Sequence, residues 1–273
     1  SVIITTYNSP NFLKKCIDSF FFQIDKEFEI IVADDGSTKE TKELINEYKN
    51  SKIKILHAWQ KDKGFRAAKI RNEAVKISSG KYLIFIDGDC IVRNDFIKNH
   101  RRIAEQGFFA RGNRVMLSKN FSNLILKNNI DINSFNIYKI IKLRLNKSIN
   151  RILPLLRFSK YPFKKIRMKD WKGAKTCNLA LWKKDFENIN GYDENYIGWG
   201  REDSDLVVRL INNKIFRKEA IFSTGVLHLK HKINSRENFS KNDKLLNNAI
   251  KENKTYIENG YIKKWVYLKN LIS

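Results

Sequence analysis

Asp87-Gly88-Asp89 closes a dense apolar run, residues 82–86. Two carboxylates two positions apart suit a hard divalent cation, which takes oxygen ligands and often bridges to substrate phosphates. Buried without partners they would be costly, so they belong where the strand leaves its sheet. In open α/β sheets that carboxyl edge is where ligands bind. Gly88 lets the backbone turn between the acids. Asp-Gly is also a common turn pair, so a solvated turn fits the same three residues. Three more polar clusters fall at ends of expected elements: Thr6-Tyr7-Asn8, Asp34-Asp35-Gly36-Ser37 and Glu202-Asp203. For Glu202, Asp203 and Asp205 the plain alternative is that acids favour the positive end of a helix.

The elements that must position these clusters alternate. Residues 2–5, 28–33 and 82–86 are short apolar runs of the kind that forms strands buried on both faces, and 53–57 reads as a further strand. Between them, Phe12, Leu13, Cys16, Ile17 and Phe20 form a helical stripe with Asn11 placed to cap it. Residues 42–48 and 65–78 also have helical spacing. After Asp95 come a helix through His100 and Ile103, a strand at 108–110, another at 176–182, and a helix faced by Leu206, Val207, Leu210 and Ile211. A short strand at 226–229 carries His228. This alternation argues for an α/β doubly wound sheet with right-handed crossovers. No G-x-G-x-x-G follows the first strand, which argues against a dinucleotide fold.

Two segments differ in character. Residues 127–169 hold twelve Lys and Arg against the single acid Asp131, with Ile137, Ile140, Ile141, Leu143 and Leu145 interleaved. That pattern fits helices packed on the core with a solvated basic face, or a basic amphipathic insertion lying on an anionic membrane. The tail, 241–273, reads as one or two basic helices through Leu245, Leu246, Ala249 and Ile250, then Ile262, Trp265, Val266 and Leu268. The chain as a whole carries a net charge of +24. That favours an anionic partner: nucleic acid, acidic lipid or a phosphorylated substrate. Aromatics among lysines, Tyr161 and Phe163, motivate the nucleic-acid alternative, but the carboxylate clusters would repel phosphates without a metal. No apolar run approaches a membrane span. The opening residues lack a basic leader region, so we expect no signal peptide. Cys16, Cys90 and Cys177 are odd in number and widely spaced, which gives no disulfide framework and implies a reducing compartment.

Taken in order, TTYN after the first strand, DDGS after the second, GFRAAKIRN before the central strand, DGD, and NGYDENYIGWGRED resemble the inverting GT-A glycosyltransferases of family 2. The last stretch is similar to the C-terminal signature of β1,4-galactosyltransferases and bacterial chondroitin polymerases. The resemblance covers most of the chain, and five motifs in this order are far more specific than any one of them. It implies a GT-A (Rossmann-like), mixed and mostly parallel sheet flanked by helices, with a basic helical insertion and a helical C-terminal tail. It divides the chain into a catalytic domain at 1–233 (a nucleotide-binding half at 1–115, the insertion at 120–169, an acceptor-binding half at 170–233) and a tail at 234–273.

The resemblance also implies roles. Thr6 and Tyr7 line a nucleobase pocket, with Asn8, Asp35 and Gly88 in the same donor group. Asp34 accepts from the uracil or ribose, Arg71 faces base and phosphate with Asn72 beside it, and Asp87 faces the ribose. Asp89 holds Mn²⁺ or Mg²⁺ against the diphosphate, with His228, or else His231, as a nitrogen ligand that favours Mn²⁺. Asp203 is the general base and Glu202 orients acceptor or sugar. Trp199 stacks on a sugar ring while Gly198 and Gly200 keep its loop mobile, and Gly173 and Asn178 line the sugar pocket. The implied reaction moves a hexose or N-acetylhexosamine from a UDP-sugar to a hydroxyl of a cell-surface glycan or lipid-linked saccharide, such as lipopolysaccharide or capsule. It would take place in the cytoplasm, peripherally on the inner face of the plasma membrane, without specific nucleic-acid binding. Two departures stand out: Ile70 replaces a usual small residue, and 120–169 has no counterpart.

Overall fold

The computed structural model describes residues 1–158, 162–231 and 235–263. Seven strands form one sheet in the order β3 (Ile55–Trp59), β2 (Ile30–Asp34), β1 (Val2–Thr6), β4 (Tyr82–Asp87), β8 (Asn178–Trp182), β6 (Phe108–Arg111) and β9 (Phe216–Glu219). β8 runs antiparallel to both its neighbours, and every other pairing is parallel. The mixed, mostly parallel sheet that the resemblance implies is therefore present.

Strand residues alternate between two cores. Val2, Ile4, Ile30, Val32, Ile84 and Ile86 meet α1 (Pro10–Phe20), α2 (Lys39–Glu47) and α4 (Phe96–Ile103) on one face. Ile3, Ile31, Ala33, Leu83 and Phe85 meet α3 (Ala67–Lys76), α7 (Lys183–Asn188) and α8 (Glu202–Asn212) on the other. Burial on both faces is why these strands read as unbroken apolar runs.

A second, three-stranded sheet orders β5 (Cys90–Ile91), β10 (Val226–His228) and β7 (Arg114–Met116). Ile91, Val115, Leu117, Leu227 and Leu229 join a third core with Phe121, Ile125, Ile132, Phe135, Ile140, Ile149 and Leu155. The insertion thus shares a core with the second sheet, through α5 (Lys119–Lys127), α6 (Ile137–Leu145) and a 3-10 turn at Leu153–Leu155. Less of it is helical than the basic pattern suggests.

Other expectations need correction. Asn11 does not cap α1: Ser9 is the N-cap, without a side-chain cap bond, and Pro10 opens the first turn. Pro at this first helical position has no N–H to leave unsatisfied, and its fixed φ suits the helix start. In the tail, α9 (Phe239–Lys251) packs on α8, and the chain then returns so that Asn190 bonds Ile257 and Ile262. Trp265, Val266 and Leu268 lie outside the described residues, as do Tyr161 and the Phe163 side chain. The three cysteines are free and buried. Among the described residues no helix is long and apolar enough to cross a membrane.

Candidate active site

Parallel register gathers the first three clusters at one sheet edge. Thr6 pairs with Asp34 across β1 and β2, and Thr5 pairs with Asp87 across β1 and β4. Gly88 donates to the Thr5 carbonyl at 2.8 Å, and a Cβ on it would come within 3.1 Å of that oxygen. The glycine therefore serves close backbone approach.

Arg71 brings the fourth cluster to this edge. Rising from α3, its guanidinium donates to Thr5 Oγ1 at 3.0 Å and to Glu202 Oε1 at 3.1 Å, and lies 3.6 Å from Asp87 Oδ1. The arginine is only 5% exposed, so these groups take up its charge. One cation thus ties the end of β4 to the start of α8.

α8 begins from a strained residue. Arg201 at its N-cap has φ 78°, a left-handed conformation that costs a non-glycine residue about 1–2 kcal/mol. Its ion pair to Asp243 at 2.7 Å and its position over the Phe239 ring, both from the α9 region, hold it there. The three acids of the first turn then separate in role. Asp205 forms a buried pair with Arg209, and Glu202 pairs with Arg71. Asp203 makes no ion pair within 4 Å among the described residues; Ser204 donates to it from its hydroxyl at 3.3 Å and from its backbone. Burial, and next the Glu202 charge beside it, push the Asp203 carboxyl up to about 6. Burial and the neighbouring Asp89 raise Asp87 to about 6 as well. Cys177, at the entry to β8, lies within electrostatic reach of Asp87, Asp89 and Asp203 together.

Asp89 faces both histidines that the sequence offered as alternatives. Its Oδ1 lies 3.4 Å from His228 Nε2 and its Oδ2 2.9 Å from His231 Nε2. Burial alone would raise the Asp89 carboxyl, but the His231 hydrogen bond and the two imidazoles hold it below the usual range. Burial lowers His228 in turn, and its Nδ1 points at the Leu229 carbonyl at 3.0 Å. The Nδ1–H tautomer that this bond selects leaves an Nε2 lone pair aimed at a carboxylate oxygen. Two lone pairs so placed suit a cation between them. Asp89, Cys90 and His228 offer ligand atoms within 4.8 Å of one another, so the donor set fits a divalent ion.

Several expected ligand-binding side chains are committed internally. The Asn72 amide is buried and bonded to the Tyr192 backbone and Glu194, so it fastens the loop before α8. Asn178 is buried, donates both amide protons to the carbonyls of Asn113 and Thr224 and meets His100 through its oxygen, so it serves the fold. Asp34 caps Ser37 and meets His57 at 3.0 Å, while Asp35 accepts from Gln60 and Arg66. Tyr7 is half exposed and donates to Asp62, and Asn8 is tied to Ser37 and Thr38. Trp199 stacks on Phe239 at 6.0 Å with Arg236 over its ring. Its flanking glycines serve backbone form: Gly198 and Gly200 have φ of 81° and 104°, and Asn242 ties Ile197 and Gly200. Gly173 borders a hollow of about 650 Å³ walled by Arg111, Asp170, Arg217 and Glu219.

The sequence reading missed Arg114. It sits on β7 beside His228's strand, with Nη1 3.6 Å from Cys177 Sγ and no acid within 4 Å among the described residues. Its charge reaches Asp87 and Asp89. Nothing in the surrounding ARGNRV marks it, because only the pairing of β7 with β10 brings it to the acids. Trp59, exposed at the end of β3 with its indole on the Ser37 carbonyl, was also missed.

Comparison with known proteins gives a family and a fold. Residues 1–168 match the model described as glycosyl transferase family 2, and residues 159–232 match that described as the N-terminal domain of galactosyltransferase. Validoxylamine A glucosyltransferase of Streptomyces hygroscopicus subsp. jinggangensis is 26% identical over 221 residues, 77% of this chain and 50% of that protein. Among solved structures, S. aureus TarS aligns with a TM-score of 0.61 at 17% identity over 99% of this chain and 41% of TarS. Its 1–349 segment has been solved with UDP-GlcNAc. The mannosyltransferase PcManGT of Pyrobaculum calidifontis, solved with GDP-Man and Mn²⁺, aligns at 0.54 and 13% identity over 85% of this chain and 56% of that one. The chain spans half or less of the length of the curated relatives it matches.

Proposed function

The chain belongs to glycosyltransferase family 2, and from that premise we propose that it is a metal-dependent, inverting transferase that moves a hexose or N-acetylhexosamine from a UDP-sugar to a hydroxyl of a glycan or lipid-linked saccharide. The observation that carries this reading is Arg71. By pairing with both Asp87 and Glu202 it joins the end of β4, which leads into Asp89, to the start of α8, which carries Asp203.

Asp203 receives the proton of the attacking hydroxyl. With a pKa near 6 it is ionised at neutral pH, yet basic enough to accept. Glu202, held by Arg71, orients the acceptor or sugar. Asp89 with His228, and His231 and Cys90 alongside, would hold a divalent cation, which when bound supplies charge neutralisation to the leaving diphosphate. Arg114 adds a fixed positive charge on the same side. With Asp203 as base on the face opposite the leaving diphosphate, a single displacement at the anomeric carbon would invert configuration. In this reading residues 1–115 bind the nucleotide and 170–233 the acceptor. UDP as donor is supported by the TarS complex with UDP-GlcNAc, and GDP-mannose, bound by PcManGT, is the competing donor.

Nucleotide release from a panel of UDP-sugars and GDP-mannose, without acceptor, tests the donor. Release from a UDP-sugar is expected; release from GDP-mannose alone would exclude UDP. EDTA is expected to stop activity and Mn²⁺ to restore it, whereas full turnover in chelator would remove the metal role. Arg114→Ala is expected to lower kcat about tenfold to a hundredfold, the scale of one charge-assisted contact. An unchanged kcat would leave Arg114 structural.

A further inference from the structure

Helix α6 exposes an apolar stripe that nothing in the described structure covers. Tyr138 is 80% exposed and Leu145 75%, with Ile137 and Ile141 also open, while Ile140 is buried in the third core. At about 100° per residue, Ile137, Ile141, Leu145 and Tyr138 fall within one arc of about 100°. Lys142 and Arg144 border that arc on either side, both exposed. Residues 119–151 contain seven Lys and Arg and the single acid Asp131.

We propose that α6 seats the protein on an anionic phospholipid surface, with the stripe at the acyl boundary and the flanking cations among the headgroups. Charge complementarity selects this occupant. Interfacial amphipathic helices combine an apolar face with a Lys- and Arg-rich surround, and lysine stems lie along apolar surface while the ammonium stays in the headgroup region. A protein interface core is instead depleted in charge. Tyr138 is a ring of the kind enriched at membrane interfaces.

The seating has a consequence for the cleft. Ile140 and Leu143 under the stripe share a core with Leu227 and Leu229, the residues on either side of His228, and with Ile91 beyond Cys90. Ser122 of α5 also accepts from the Lys230 backbone at 2.8 Å. A docked α6 is therefore one packed layer from the cation-binding strand. Resting on the transferase reading, this points to an acceptor held at the membrane, hence lipid-linked.

The test uses the full chain and needs no activity. Vesicles of phosphatidylglycerol with phosphatidylcholine are expected to pellet the protein at physiological salt, and phosphatidylcholine alone to leave it in the supernatant. The charge-neutral double variant Ile141→Ser/Leu145→Ser is expected to bind at least about tenfold more weakly. Both side chains are exposed, so its melting temperature should not fall, which separates lost docking from unfolding. An environment-sensitive dye on Leu145→Cys, with the three native cysteines buried, is expected to shift blue on anionic vesicles only. Equal binding by the double variant, or an unshifted dye in pelleted protein, would show adhesion by charge alone and overturn the proposal. A concentration-dependent dimer that the same variant disperses, without vesicle binding, would overturn it in favour of a second copy.

Discussion

Asp203→Asn is expected to abolish sugar transfer, leave donor binding intact and raise the melting temperature. The first part follows from its role: a positioned general base contributes about 10²–10⁴-fold, and asparagine cannot accept the proton. Donor binding should survive because no base, ribose or diphosphate contact is assigned to this side chain. The third part follows from linkage. The carboxyl sits at about 6 in the fold against an ordinary 3.8, because burial and Glu202 disfavour its ionised form. A raised acid adds stability below its unfolded pKa and loses it as pH rises through about 6. At neutral pH the wild type therefore carries a cost that asparagine does not. The shift itself would correspond to about 3 kcal/mol. Because the side chain is partly open to solvent, we expect about 1–2 kcal/mol, a gain of a few degrees for a chain this size. Transfer by the wild type should fall as pH drops below about 6. A transfer assay, donor titration and scanning calorimetry check the three parts in turn, and a variant that still transfers would remove Asp203 as the base.

Arg71→Met is expected to have the largest effect on stability. It removes a cation that Asp87 and Glu202 share and leaves Glu202 largely buried without its ion-pair partner. Breaking a buried ion pair from one side costs about 3–5 kcal/mol. Transfer should be lost too, since β4 and α8 would no longer be held together. The double variant Arg71→Met/Glu202→Leu should recover part of the stability and none of the activity. Arg71→Lys should rescue little, because a point charge cannot repeat three contacts made by a planar guanidinium. Urea unfolding measures each step. A single variant within about 0.5 kcal/mol of wild type, the range of an ordinary surface change, would show that the network is not what joins the two elements.

What the sequence made legible follows from burial. β1, β2 and β4 are enclosed on both faces and so are unbroken apolar runs, and the clusters at their ends could be placed in advance. β9 could not. Its FRKE hides Arg217 and Lys218, which are buried because Glu219 and Glu105 neutralise them, so this edge strand carries the composition of a solvated segment. β5 and β7 are two and three residues long and exist only through pairing with β10. For that reason Arg114 gave no signal, and His228 could not be told from His231. Asn72 and Asn178 were placed beside ligand for a related reason: residue type shows that an amide can bind, but not that backbone groups such as the carbonyls of Tyr192 and Asn113 already occupy it.

The most direct measurement is anomalous scattering at the manganese edge from crystals soaked with Mn²⁺ and UDP. The expected result is one peak between Asp89 and His228, with the diphosphate beside it on the Arg114 side and Asp203 facing the same hollow. A peak elsewhere, or UDP lodged in the separate hollow beside Gly173 and Arg217, would contradict the convergence of these acids on one bound donor.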